Sequence, residues 1–259
     1  MPQLIAAKAL QESRSFGIRP IAITRPLHWL ALGWRDLWRC PVPGLLHGLV
    51  LALFGAALLV LAREHFWLLA GAFSGFLLVA PIAATGLYAI SQTLDRGAPA
   101  TLRTALQVWV PRNGRLVVFG VLLAFAGTGW VVTSASLITG FAPTRIDNPQ
   151  DFLRHVVLAD GGLLFEAWVV LGALLAAPVF ASSVVAIPLL LERPVSLLAA
   201  VLTSWRVVIE NPLPMALWAL LLMGLSLLAM LPALLGLVIA VPWLAHASWH
   251  AYRELVELP

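Results

Sequence analysis

Long runs without a charged side chain alternate along this chain with short charged stretches. Cys40–Ala62, His65–Leu94, Leu116–Thr144 and Ala167–Leu191 contain no Asp, Glu, Lys or Arg, and neither does the stretch between Glu210 and Arg253. Each of the first four can hold the roughly 20 residues that cross a hydrocarbon core as a helix. The runs are continuous and do not alternate, which selects helices over a closed barrel. The last stretch predicts two short passes, with the turn at Pro232 and Gly236. A single very long helix is the alternative there. Six spans would put both termini on one side.

Three segments ahead of apolar runs carry a helical two-sided pattern. On a wheel of 100° per residue, Leu27, Leu30, Ala31, Trp34, Leu37 and Trp38 share one arc, with His28, Arg35, Asp36 and Arg39 on the other side. The second segment groups Leu102, Ala105, Leu106, Trp109 and Val110, and the third runs from Pro194 to about Ile209. Pro26, Pro99 and Pro194 suit a first helical position, and Pro41, Pro111 and Pro212 suit a stop. Such helices lie flat in a membrane interface or tuck under the bundle. Trp34, Arg35, Trp38, Arg39, Trp109, Trp205 and Arg206 are the expected interfacial anchors.

The pattern repeats. Trp34-Arg35 precedes Pro41 and Pro43, and Trp205-Arg206 precedes Pro212 and Pro214 at the same spacings. "APIAATGLYAISQTLDRG" from Ala80 matches "APVFASSVVAIPLLLERP" from Ala177 at an offset of 97, which aligns Asp95-Arg96 with Glu192-Arg193. The expected architecture is therefore all-α: a polytopic bundle of six transmembrane helices in three parallel repeats, each an amphipathic helix plus a helical hairpin. The repeats cover about 26–98, 99–193 and 194–255 of a single membrane domain, 26–259. Parallel copies imply a pseudo-axis along the membrane normal. Residues 1–25 read as a cytoplasmic leader whose composition leaves room for disorder; they lack the apolar core of a signal peptide.

Composition agrees with the membrane class. The chain has 61% hydrophobic and 11% charged residues, far below the roughly 25% charged content of soluble domains. With a net charge of only +4, the charge is read as topology control and no nucleic-acid partner is expected. All Lys and Arg except Arg63, Arg145 and Arg154 fall on the face that holds both termini. The positive-inside rule makes that face cytoplasmic. The one sizeable outer loop, about residues 140–166, is too short for a soluble domain. With Cys40 alone, no intrachain disulfide can form.

Candidate chemistry is sparse. No phosphate loop, dinucleotide fingerprint or zinc-protease helix is present, so no catalytic residue is assigned and a non-enzymatic protein is expected. No Asp, Glu, Lys or Arg lies near the middle of any span, which weighs against an ion-coupled carrier. His246 and His250 are four apart and share a helix face. With His47 and Cys40 they are the candidate ligands for haem or copper, and interfacial hydrogen-bonded histidines are the plainer alternative. No cofactor is expected outside that alternative. Asp95-Arg96 and Glu192-Arg193 read as ordinary surface pairs. A facilitator or channel would need Thr133, Ser134, Ser136, Ser182 and Ser183 to face a common axis. Since the copies share Trp, Arg and Pro but not Asp36, Cys40, His47, His246 or His250, what is specific to function is expected among those five.

"WLALGWRDLWRCPVPGLLHGLVLALFG" and "FSGFLLVAPIAATGLYAISQTLDRG" resemble a bacterial domain-of-unknown-function family of predicted integral membrane proteins, over roughly residues 25–255. The resemblance rests on Gly33, Trp34, Asp36, Leu37, Pro41, Pro81, Gly86, Leu87, Tyr88 and Ser91. Some members are labelled cytochrome c oxidase subunit I-like, a label that this chain, short and without paired-histidine haem helices, supports little. The resemblance implies the bacterial inner membrane and no established activity. The expected roles are a scaffold or accessory subunit with a membrane-protein partner, or a binder of lipid or other apolar molecules within the bilayer. A facilitator and a haem- or copper-binding respiratory accessory protein are the alternatives.

Overall fold

The computed structural model describes residues 2–61, 84–108, 114–159 and 162–259. The helices are α1 (Pro2–Arg14), α2 (Arg25–Arg39), α3 (Pro41–Leu61), α4 (Thr85–Asp95), α5 (Leu102–Gln107), α6 (Gly114–Phe141), α7 (Pro149–Phe152), α8 (Leu164–Ser183), α9 (Ala186–Glu192), α10 (Leu197–Glu210), α11 (Pro212–Met230) and α12 (Leu237–Leu255). A π-helical turn, Leu153–Val157, follows α7, and the two-residue strands β1 (Gly17–Ile18) and β2 (Val256–Glu257) pair antiparallel. Among the described residues, four helical stretches are long and apolar enough to cross a membrane: Pro41–Val60, Gly114–Phe141, Leu164–Glu192 and Pro212–Met230. Most of the predicted second span lies outside the described residues, which resume at its end with α4. The final charge-free stretch is two helices, α11 and α12, separated by a turn at residues 231–236. In that turn Ala233 and Leu234 adopt positive φ, a conformation that costs an L-residue about 1 kcal/mol or more.

Prolines partition the chain differently from the expectation. Pro41 and Pro212 open α3 and α11, so the residue that stops one helix starts the next. The single-residue breaks are Cys40 (φ −139°, ψ 66°) and Asn211 (φ −131°, ψ 55°), nearly the same backbone at aligned positions of the first and third copies. Pro26 occupies the first turn of α2 as expected. Pro99 and Pro194 instead stand ahead of their helices, where Thr101 and Ser196 take the N-cap. Ser196 caps by accepting a bond from the Ala199 amide.

The chain divides into two compact units. One comprises Met1–Leu53, Pro81–Phe119 and Phe180–Pro259. Its centre is α12, packed against α2, α4, α9 and α11. Glycine lets α12 be approached closely. A Cβ on Gly33 of α2 would lie 2.5 Å from the Ala247 nitrogen, and one on Gly48 of α3 would lie 2.3 Å from the Val238 oxygen. The second contact has a local cause. Pro242 carries no N–H, so the Val238 carbonyl loses its usual helical partner, and the bare Gly48 backbone packs over it.

Residues 2–18 are structured. Helix α1 packs on α10, with Ala9, Ser13 and Phe16 buried. Arg206 fastens this segment by donating to the carbonyls of Ser13 and Phe16 at 2.8 and 3.2 Å. Room for disorder in the leader therefore gives way, over these residues, to a packed helix. An apolar run is not needed for that packing: one buried edge and a guanidinium clamp suffice.

The second unit comprises Phe54–Ala80 and Gly120–Val179. Its described core joins α6, α7, the π turn and α8 around Ile138, Ile146 and Val156. Trp168 closes this core, ringed by Trp130, Phe152 and Phe165, and donates to Ser134 Oγ at 2.6 Å. Within the outer loop expected over about residues 140–166, α7 and the π turn add short helical segments, started by Asn148, which caps α7 through the Asp151 amide.

Candidate functional site

Helix α2 has three sides. Trp29, Leu30, Gly33, Asp36 and Leu37 are buried, while Leu27, Trp34 and Trp38 are exposed with His28, Arg35 and Arg39 beside them. The wheel found the apolar arc, but that arc is not the packed face. The packed face is rotated toward Asp36, which was expected on the polar side and is 1% exposed. The glycine at position 33 explains the rotation: it admits the α12 backbone, and Asp36 follows it one turn on.

Asp36 is the centre of a buried polar cluster. Its Oδ2 accepts from Ser91 Oγ of α4 at 2.9 Å and lies 2.7 Å from His250 Nε2 of α12. Ser91 Oγ lies 2.8 Å from His246 Nδ1, one turn back on α12. Burial pushes the Asp36 carboxyl up, but hydrogen bonds from His250 and Ser91 outweigh it and the net shift is downward. An ionised Asp36 can only accept, so His250 Nε2 carries a proton and Ser91 spends its single proton on Asp36. His246 Nδ1 must then donate to Ser91. His246 Nε2 is left as a buried acceptor with no hydrogen-bond partner among the described residues. It points toward Gly44, where a Cβ would lie 3.8 Å from it.

Other donors attach the end of α12 to its neighbours. Trp249 Nε1 donates to Asp95 Oδ2 at 2.7 Å, and Tyr252 donates to Glu192 Oε2 at 2.6 Å. Trp29 Nε1 donates to Glu254 Oε2 at 2.6 Å, and Arg25 Nε donates to Glu254 Oε1 at 2.6 Å. Burial raises the Glu254 carboxyl, but the Arg25 and Trp29 bonds prevail and hold it below the usual range. Asp95 is exposed as expected of a surface pair and Glu192 is half-buried, but both also bond inward. Each, at aligned positions of two copies, anchors an aromatic side chain of α12.

A cleft of about 320 Å³ opens beside the cluster, lined by Arg19, Arg25, Leu32, Asp95, His250, Arg253 and Glu254. His250 belongs to both: its Nε2 faces Asp36 and its residue lines the cleft.

Of the five residues singled out in the sequence, the structure brings Asp36, His246 and His250 together. Cys40 is spent elsewhere, its thiol donating to the Ala100 carbonyl at 3.3 Å, and burial pushes that thiol up. His47 sits half-buried on α3. Among the described residues, no three His, Cys, Asp or Glu side chains form a metal-holding group. Of the anchors, Trp34 and Trp38 stand exposed in edge contact, with Trp243 on the other side of Trp34. Trp205 is partly exposed and bonds Ser182, Arg206 clamps the leader, and Trp109 lies outside the described residues. Sequence reading missed Ser91 as a partner of Asp36. Its only signal was the serine inside the "GLYAIS" stretch of the resemblance.

The hydroxyls that a polar path would need are largely engaged in helix contacts. Thr133 bonds back to Gly129, Ser183 to Phe180, Ser134 takes Trp168 and Ser182 takes Trp205.

Long apolar helices and an interior held by a few mutually bonded polar groups define an α-helical integral membrane protein. Consistent with this, residues 68–192 match the family model described as Predicted integral membrane protein (DUF2189), a family of unknown function. The match is narrower than the resemblance read from the sequence: it includes the stretch from Phe73 to Gly97 but not the one around Trp34. No curated protein and no solved structure matches the chain.

Proposed function

We propose that this chain is a six-pass protein of the bacterial inner membrane with both termini cytoplasmic, built from three parallel repeats. In this reading it is not an enzyme. It serves as a scaffold or accessory subunit, or as a binder of lipid or other apolar molecules. The observation that carries the reading is the inward use of its chemistry: Asp36, Ser91, Asp95, Glu192 and Glu254 all bond side chains that hold α2, α4, α9 and α12 together. Among the described residues, the Ser91–His246 contact is fully buried, which supports a structural role for it. The repeat is supported by the matching breaks at Cys40 and Asn211 and by the equivalent anchoring roles of Asp95 and Glu192. The β1–β2 pairing supports termini on one side, and the arginine distribution supports the cytoplasm.

Gentle purification from native membranes, with co-purifying proteins and lipids identified by mass spectrometry, tests the role. A reproducible protein partner supports the scaffold, and a stoichiometric lipid supports lipid handling. A sample that carries neither, or that transports solute in vesicles, overturns the reading. The haem or copper alternative is favoured, among the described residues, by the open His246 Nε2; a Soret band or bound copper in that sample would support it.

A further inference from the structure

The cleft beside the Asp36 cluster is amphoteric by construction. Arg19, Arg25 and Arg253 bring three guanidiniums to it. Each guanidinium is paired to a glutamate through part of its donor fork: Arg19 to Glu257 at 3.1 Å, Arg25 to Glu254 at 2.6 Å, and Arg253 to Glu192 at only 3.5 Å. A guanidinium has five N–H groups, so donors remain on all three. Acceptors are interleaved with these donors, Glu254 lying directly against Arg25. Asp95 takes one bond from Trp249 and Glu254 takes bonds from Arg25 and Trp29, yet a carboxylate has about four acceptor positions.

A simple anion would meet the guanidiniums but also the two carboxylates. A simple cation would meet the reverse. A molecule that carries a phosphate and an ammonium a few bonds apart satisfies both kinds of group. The position of the cleft adds a direction. Leu32 and Arg25 of its lining belong to the basic side of α2, which adjoins the exposed Leu27, Trp34 and Trp38 side. That is the arrangement of an interfacial helix, with apolar side in the acyl region and basic side among headgroups.

We infer that this cleft binds a phosphate–ammonium zwitterion, the headgroup chemistry of an aminophospholipid, with the phosphate on Arg19, Arg25 and Arg253 and the ammonium on Asp95 and Glu254. The same chemistry is found in soluble phosphoethanolamine, and only the lipid source rests on the lipid-binding reading above.

The full chain, purified in detergent and stripped of lipid, is titrated with phosphoethanolamine, inorganic phosphate and ethanolamine, and by native mass spectrometry with phosphatidylethanolamine and phosphatidylglycerol. The expected result is a preference for the zwitterion over either half and for phosphatidylethanolamine over phosphatidylglycerol, weakening as salt rises. Arg253→Ala and Arg19→Ala should each weaken it about tenfold, the worth of one charge-assisted contact. Arg253→Lys should weaken it less, and Arg145→Ala, on the other unit, not at all. The Lys variant and the Arg145→Ala control separate loss of the site from loss of the fold. Binding of the soluble zwitterion without the lipid keeps the site and overturns its lipid source. Equal binding of inorganic phosphate or phosphatidylglycerol, or binding indifferent to the Arg253 and Arg19 variants, overturns the inference, as does no binding.

Discussion

Replacing Asp36 with alanine tests the buried cluster most directly. The variant removes an acceptor that serves two buried donors, Ser91 Oγ and His250 Nε2, and leaves both without their partner. Hydrogen bonds to a charged group contribute about 1.5–3 kcal/mol each, and breaking a buried charged pair costs about 3–5 kcal/mol. Relief of the buried carboxylate offsets part of this. The expected loss is therefore about 3 kcal/mol, or about 6–12 °C in the unfolding midpoint at about 2–4 °C per kcal/mol for a chain of this size. Asp36→Asn keeps an acceptor but not the charge and should cost about half as much. The assay is a thermal scan of the detergent-purified chain followed by tryptophan fluorescence, since Trp29 and Trp249 are buried close to the cluster's helices. Ser91→Ala supplies the cycle: once Asp36 is gone, removing the serine should cost less than it does in the parent. The pH dependence carries the same signature. Asp36 is held below its unfolded value, so its contribution is present above the unfolded value and is lost as pH falls through the folded one. Asp36→Asn should lose that acid-side component, Glu254 supplying the remainder. A midpoint shift under about 2 °C for Asp36→Ala, or strict additivity with Ser91→Ala, would refute the reasoning, because either would mean that the carboxylate is not a shared acceptor.

Other outcomes follow from the packing around α12. Gly48→Ala and Gly33→Ala should each destabilise by about 1–3 kcal/mol or more in the same scan, since their Cβ atoms meet backbone that cannot yield. Trp249→Phe and Tyr252→Phe should each cost about 1–3 kcal/mol and should couple, because the rings touch at 5.4 Å. Cys40 should resist a membrane-permeant thiol reagent until the protein is denatured, given its burial and its bond to Ala100; rapid labelling in the folded state would contradict the α2–α3 junction. Reporter fusions at the two ends should report one compartment, since β1 and β2 pair within the same unit.

Much of the span layout was legible because charge is scarce: Arg39, Arg115, Glu166 and Glu210 each fall within a few residues of a helix end. The turn between α11 and α12 was legible from Pro232 and Gly236 for the same local reason. The packed face of α2 was not. A wheel ranks residues by polarity, whereas Gly33 sets the face here by letting two backbones meet, and Asp36 is buried because Ser91 and His250 arrive from helices far away in sequence. The structured leader escaped notice for a related reason. Its fastening, Arg206 to the Ser13 and Phe16 carbonyls, uses main-chain acceptors that carry no residue signature. Difference between repeat copies pointed to Asp36, His246 and His250, while Ser91 sits opposite Pro188 in the aligned copy and drew no attention.

The partners of α12 are made long before it. Asp36, Ser91, Asp95 and Glu192 leave the ribosome early, and the histidines, tryptophan and tyrosine that complete them arrive only with residues 246–252. Until then Asp36 can pair with Ser91 alone, and Asp95 and Glu192 lack their aromatic donors, a state that favours water, headgroups or a chaperone over a finished bundle. Assembly of this unit is thus completed late: α12 acts as a keystone, and without it Asp95 and Glu192 would lack the aromatic donors that anchor them.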